Sequence, residues 1–198
     1  MLIRFFDVLF SFLGLMLLLP FFIIIALLIL LDSHGGAFYL QNRVGKNNIE
    51  FKLLKFRTMS SYSDRYGSLT IGKRDQRITR IGYYLRKFKI DELPQLINVI
   101  MGRMSLVGPR PEVRKYVELY NEKQRTILKV KPGITDFASI EFTNENEILA
   151  LSANPEKTYI EEIMPAKINL NMTYINNRSI KNYFKILFNT IKVILRIK

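Results

Sequence analysis

Ile90-Asp91-Glu92-Leu93-Pro94-Gln95-Leu96-Ile97-Asn98-Val99-Ile100-Met101-Gly102 sets an adjacent carboxylate pair at the head of a short apolar-periodic segment that a glycine closes. Proline is tolerated only in the first turn of a helix, where its missing N–H has no partner to lose, so Pro94 predicts a helix from about Asp91 to Gly102. Both carboxylates then stand at the positive end of the helix dipole, which favours their ionised form and suits a nucleophile or a metal ligand better than a general acid. An ordinary acidic N-cap has the same local appearance. A few residues on, Gly108-Pro109-Arg110-Pro111 holds an arginine between two prolines.

Outward from this stretch the chain is basic. Lys plus Arg number 30 against 17 acids, a formal charge of +13 over 198 residues, which calls for a phosphate-bearing partner: nucleic acid, anionic lipid or a phosphorylated substrate. No recognised nucleic-acid module is present, so a membrane-tethered nucleic-acid binder would rest on charge alone. Cysteine is absent and His34 is the single histidine, which excludes disulfides, thiolate metal sites and a multi-histidine centre. Between Lys73 and Lys89 seven bases and one acid lead into Asp91-Glu92. Such neighbours should depress both carboxyl pKa values.

Val8 to Leu31 is a run of 24 residues without formal charge. As a helix it measures about 36 Å, enough to cross a hydrocarbon core of about 30 Å. Pro20 at its middle predicts a kink, which leaves two forms open, a bent spanning helix and a turn-back; length favours spanning. The charge surplus lies after this run, so the polar domain is expected on the cytoplasmic side.

Residues 37–59 read as two short strands around Lys46-Asn47-Asn48, with Lys55 and Arg57 on one face and Leu54 and Phe56 on the other. Residues 60–74 read as a loop. Gly67-Ser68-Leu69-Thr70-Ile71-Gly72-Lys73-Arg74 fits a phosphate-binding P-loop except at Arg74, where a hydroxyl should hold magnesium, and it is rejected. Tyr83 to Phe88 reads as helical. One helix is expected from Pro111 past Leu128 to the stop at Lys131-Pro132-Gly133, then a strand at Ile134–Phe142, an acidic loop at Thr143–Glu147, a helix at Glu156–Met164 and a strand or extended segment at Ile168–Tyr174. From Ile180 to Ile197 a wide apolar face and a purely cationic stripe of Lys181, Lys185, Lys192 and Arg196 form the pattern of an interfacial helix, compatible with packing on the core.

The series Gln41-x-Arg43-x-Gly45, Lys55-Phe56-Arg57-Thr58-Met59, Arg77-Ile78-Thr79-Arg80-Ile81-Gly82, Asp91-Glu92-Leu93-Pro94-Gln95-Leu96-x-Asn98, Met104-Ser105-Leu106-Val107-Gly108-Pro109-Arg110-Pro111 and Lys131-Pro132-Gly133-Ile134-Thr135 resembles the bacterial sugar transferases, the small monotopic phosphoglycosyl transferases. The resemblance covers nearly the whole chain, without the extra transmembrane helices of longer members. It implies a helix-rich α+β fold in three parts: a re-entrant helix-break-helix membrane anchor over 1–34, a compact cytoplasmic catalytic domain with short strands over 35–178, and an amphipathic membrane-surface helix over 179–198. It also implies transfer of a sugar 1-phosphate from a UDP-sugar to polyprenyl phosphate at the bacterial inner membrane, releasing UMP, in glycoconjugate synthesis. Family mechanism makes Asp91 the nucleophile of a covalent phosphosugar intermediate and Glu92, with Asp91 beside it, the site of Mg2+. Lys55, Arg57, Arg86 and Arg110 are the candidates to neutralise the phosphates, and Pro20 marks the helix break. Membrane lipids are the remaining partner; nucleic acid is not one. Two departures bear on sugar choice: Asp136-Phe137-Ala138-Ser139 replaces a continuation with Gly and soon Gln, and Asn171 stands where an acid is common.

Overall fold

A computed structural model describes residues 1–60 and 75–196; the rejected P-loop candidate and nearly all of the 60–74 loop lie outside them. Helix α1 (Leu2–Asp32) leads into an antiparallel hairpin, β1 (Phe38–Val44) and β2 (Glu50–Phe56), with Phe38 opposite Phe56 and Val44 opposite Glu50. Then come α2 (Arg80–Lys87), a 3-10 turn at Ile90–Glu92, α3 (Gln95–Ile100) and β3 (Ser105–Val107). Next follow α4 (Arg114–Val117), α5 (Glu122–Arg125) and β4 (Gly133–Thr135), which pairs parallel with β3. Helices α6 (Phe137–Glu141), α7 (Glu145–Leu151), α8 (Pro155–Thr158), α9 (Met164–Asn176) and α10 (Ile180–Arg196) complete the order, with a π-helical turn at Tyr159–Ile163. The fold is a helix-rich α+β arrangement with two small sheets.

Several sequence expectations are corrected. At the position of the expected break the backbone stays helical, so Leu2–Asp32 is a single run with Pro20 inside it; the proline removes a single hydrogen bond, and the apolar residues on both sides carry the helix on. The helix expected from Pro111 is split, because Asn121 and Gln124 form a capping box that starts α5 afresh. The strand expected at Ile134–Phe142 ends at Thr135, since the Asp136 side chain caps α6. Part of the acidic loop is helix α7. Ile168–Tyr174 is helical: Met164, Ile168, Asn171 and Tyr174 are the buried positions, a 3.6-residue period that the local alternation masked.

Along its length α1 packs on the rest of the chain. Arg4 donates to the Val99 (2.6 Å) and Ile100 (3.0 Å) carbonyls at the end of α3. Asp7, 2 % exposed, accepts from the Ser105 and Tyr183 hydroxyls (2.8 and 2.9 Å) and from the Leu106 N–H (2.9 Å). At the other end Asp32 accepts from the Ile81 N–H (2.9 Å), and Phe22 and Ile29 are buried with Phe56 and Leu85. The outward residues of α1, among them Leu17, Leu19, Phe21, Ile23 and Leu31, are exposed. Tyr183 and Ile186 of α10 are fully buried in a cluster with Val99, Met104 and Tyr174, while Phe188, Ile191 and Leu195 remain exposed. One core therefore draws on the first, middle and last segments.

Candidate active site

The carboxylate pair sits on the 3-10 turn between α2 and α3, at the wall of a cleft of about 910 Å³. Asn98 brings the hairpin to it. Its side chain accepts from the Leu54 N–H (2.9 Å) and donates to the Lys52 carbonyl (2.8 Å), so α3 completes the hydrogen bonding of β2. That docking sets the Lys55 ammonium 3.7 Å from Glu92. From the opposite side the Arg110 guanidinium grips both oxygens of Glu92. Arg86 and Lys89 line the same cleft.

The two carboxyls have opposite electrostatics. Arg110 and Lys55 hold Glu92 well below the usual carboxylate range, overcoming its burial. Asp91 is raised, chiefly by burial and then by the Glu92 charge. This corrects the expectation that both are depressed: burial and the adjacent Glu92 charge outweigh Lys55, Arg86 and Lys89 at Asp91, whereas Arg110 pairs directly with Glu92. The buried Asp91 Oδ1 has no hydrogen-bond partner among the described residues. Burial brings the Lys55 ammonium down to about 8, against the pull of Glu92, while Glu92 raises Arg110.

Magnesium in such a site takes one or two carboxylates and completes its shell with water and substrate phosphates. No cluster of three or more metal-ligating side chains occurs among the described residues. The unpaired Asp91 oxygen and the adjacent Glu92 fit that sparse donor set.

Of the four proposed phosphate contacts, the structure brings Lys55 and Arg110 directly to Glu92 and places Arg86 in the same cleft. Arg57 lines it too, but its guanidinium donates to the carbonyls of Ser33 (2.7 Å), Ile29 (3.4 Å) and His34, and so closes the end of α1. Pro20 lies within α1, away from this cleft lining.

Arg110 stands on a turn whose backbone is tied on every side. Gly108 N–H donates to Thr135 O and Gly133 N–H to Pro109 O, each 3.0 Å. Arg110 N–H donates to the Asp136 carboxylate (2.7 Å), and Arg43 donates to Pro111 O (3.1 Å).

The family profile described as "Bacterial sugar transferase" matches residues 1–197. The chain belongs to the bacterial sugar transferase family. Among its relatives is a UDP-N-acetylgalactosamine-undecaprenyl-phosphate N-acetylgalactosaminephosphotransferase of Aeromonas hydrophila, 37% identical over 192 residues, covering 96% of this chain and 42% of that protein. An undecaprenyl-phosphate glucose phosphotransferase of Komagataeibacter xylinus is 38% identical, over 96% of this chain and 35% of its own length. The exopolysaccharide production protein PSS of Rhizobium leguminosarum bv. phaseoli is also 38% identical, over 95% of this chain and 92% of its own. The chain thus spans less than half of the first two relatives and nearly all of the third.

In this chain the motif glycines mark backbone contacts. A Cβ on Gly133 would lie 2.1 Å from the Gly108 nitrogen, and one on Gly82 would lie 2.1 Å from the Thr58 carbonyl oxygen. Gln41 accepts from Arg43 (2.9 and 3.0 Å), which also pairs with Glu112 at 3.1 Å; the Gln41-x-Arg43 motif is a brace for Pro111. The two departures meet each other: Asn171 Nδ2 donates to Asp136 at 3.0 Å, behind Arg110. Sequence reasoning had no means to pair positions 35 residues apart. Nor did it single out Glu112 or Tyr159, which bond to each other across the cleft wall.

Proposed function

We propose that this chain transfers a sugar 1-phosphate from a UDP-sugar to a polyprenyl phosphate such as undecaprenyl phosphate, through a phosphosugar bound to Asp91. The observation that carries the reading is the buried, hydrogen-bond-free Asp91 Oδ1 beside a Glu92 neutralised by Arg110 and Lys55. Relatives named as undecaprenyl-phosphate phosphotransferases supply the reaction class.

Asp91 Oδ1 attacks the sugar-linked phosphorus, and the bond from that phosphorus to the bridging diphosphate oxygen breaks, releasing UMP. An oxygen of the lipid phosphate then attacks the same phosphorus and frees the Asp91 carboxylate. Two displacements at one carboxylate avoid the direct approach of two polyanions. A raised pKa makes Asp91 a better nucleophile once ionised, and the nearby Lys55, Arg86 and Lys89 oppose the rise. Lys55, Arg86 and Arg110 receive phosphate oxygens, and Glu92, with Asp91, would hold Mg2+, which neutralises diphosphate charge. Arg57 is assigned to holding the anchor.

We further infer that α1 is re-entrant, bending at Pro20 while its backbone stays helical, so that it dips into the membrane from the domain side, which faces the cytoplasm, and returns. The bond that Arg4 donates to the domain, and those that Asp7 and Asp32 accept from it, support this, since a spanning helix would carry residues 1–7 across the bilayer. The exposed apolar residues of α10 join the same lipid interface. The test is UMP release on mixing the membrane-bound protein, Mg2+, a panel of UDP-sugars and polyprenyl phosphate. Wild-type release by Asp91→Asn would overturn the nucleophile assignment. Exclusively external labelling of a cysteine at position 2 would overturn re-entry.

A further inference from the structure

Lys89 joins α2 to the turn that carries Asp91, and its backbone is left-handed, φ 57 and ψ 21. Among the described residues the other non-glycines with positive φ are Asn47 and Asn48 in the hairpin connection, a residue type that tolerates this region. A lysine there is strained; glycine or asparagine would reverse the chain at lower cost. The reversal itself is fixed by backbone bonds: Lys89 N–H donates to Arg86 O (3.1 Å) and Lys89 O accepts from Glu92 N–H (3.4 Å). The side chain contributes nothing to them.

What the side chain does supply is a charge without an assignment. Other cations of the cleft are engaged: Lys55 and Arg110 with Glu92, Arg43 with Glu112, Lys167 with Glu145, and Arg77 with Asp75. Lys89 is exposed, lines the cleft, and has no hydrogen bond or ion pair from its ammonium to any described residue. A cation already paired with a carboxylate must give up that bond to meet a phosphate; an unpaired one gives up only water.

We propose that Lys89 is a phosphate-binding residue of the cleft, kept near Asp91 by a strained turn without an ion pair to any described carboxylate, so that its ammonium meets a diphosphate oxygen of the incoming donor. This rests on the reading of the cleft as a nucleotide-sugar site, and it adds a contact to that site. The strain is retained because the charge is used in binding.

The test measures binding of inorganic diphosphate and of UDP to the full-length protein in nanodiscs, alongside UMP release. Lys89→Met should weaken both ligands by about 10-fold, the scale of one charge-assisted hydrogen bond, and Lys89→Arg should stay within about threefold of wild type, a much smaller change than loss of the bond. Lys89→Gly should bind as poorly as Lys89→Met yet melt at or above the wild-type temperature, because it relieves the turn. Unchanged affinity in Lys89→Met, or equal losses in Lys89→Met and Lys89→Arg, would overturn the assignment. Should the wild type release no UMP from any UDP-sugar, the functional reading fails while the diphosphate arm still decides Lys89.

Discussion

Replacing Asp136 with alanine should damage this protein through the backbone of Arg110. The Asp136 carboxylate is fully buried and accepts from the Arg110 N–H, from the Ser139 N–H at the start of α6, and from Asn171 Nδ2. Hydrogen bonds to a charged acceptor contribute about 1.5–3 kcal/mol each, and buried donors left unpaired carry their full desolvation cost. Against this, removing a buried carboxylate recovers its own desolvation, so the net loss is about 3–4 kcal/mol. For a chain of this size 1 kcal/mol moves Tm by about 2–4 °C, which puts the variant about 10 °C below wild type. Asn171→Ala removes one of the three bonds and should cost about 2 kcal/mol. Because the two bond to each other, their effects should fall short of additive in the double variant. Thermal melts in nanodiscs supply the stabilities, and UMP release at 20 °C, below every transition, supplies the rates. Release should drop about 10-fold in Asp136→Ala as Arg110 loses its aim, by the scale of one misplaced charge-assisted contact. A Tm within 2 °C of wild type, or strict additivity with Asn171→Ala, would refute the reasoning.

Other outcomes follow from the same geometry. Asp91→Asn should abolish release yet raise Tm near neutral pH. A folded pKa above the unfolded value means that the stabilising protonated form is lost as pH rises through the folded pKa, and asparagine removes the cost of the buried charge. A lower Tm at neutral pH would contradict this. The rate profile should show an acid limb above the ordinary aspartate range and an alkaline limb near 8 from Lys55, and Lys55→Arg should displace only the latter. Gly133→Ala pushes a methyl against the Gly108 nitrogen and should leave too little folded protein to purify; a normal melt would show that the β3–β4 crossing can relax. Arg57→Met should lower Tm by about 5 °C through the freed carbonyls at the end of α1, with KM for the UDP-sugar unchanged. A rise in that KM would return Arg57 to the phosphate contacts.

The amino-acid order alone determined the apolar N-terminal helix, the hairpin, the helices over Tyr83–Phe88 and Glu156–Met164, the carboxylate pair and the family. Each is a local pattern or a fixed motif, and local patterns survive without knowledge of partners. Helix α9 was misread because alternation over seven residues resembles a strand, and the burial of Met164, Ile168, Asn171 and Tyr174 against other elements selects the helical period. The charge states of Asp91 and Glu92 could not be read from a basic neighbourhood either. Which carboxyl is neutralised depends on where Arg110 and Lys55 come to rest, and their positions follow from Asn98 docking on β2 and from the bracing of the 108–111 turn. Lys55 and Arg57, two apart and expected on one strand face, part company because β2 ends at Phe56: Arg57 caps a helix and Lys55 meets Glu92. The sequence supplied the charged groups; contacts between residues tens of positions apart decided which of them are buried, which are paired, and which carboxylate oxygen is left open.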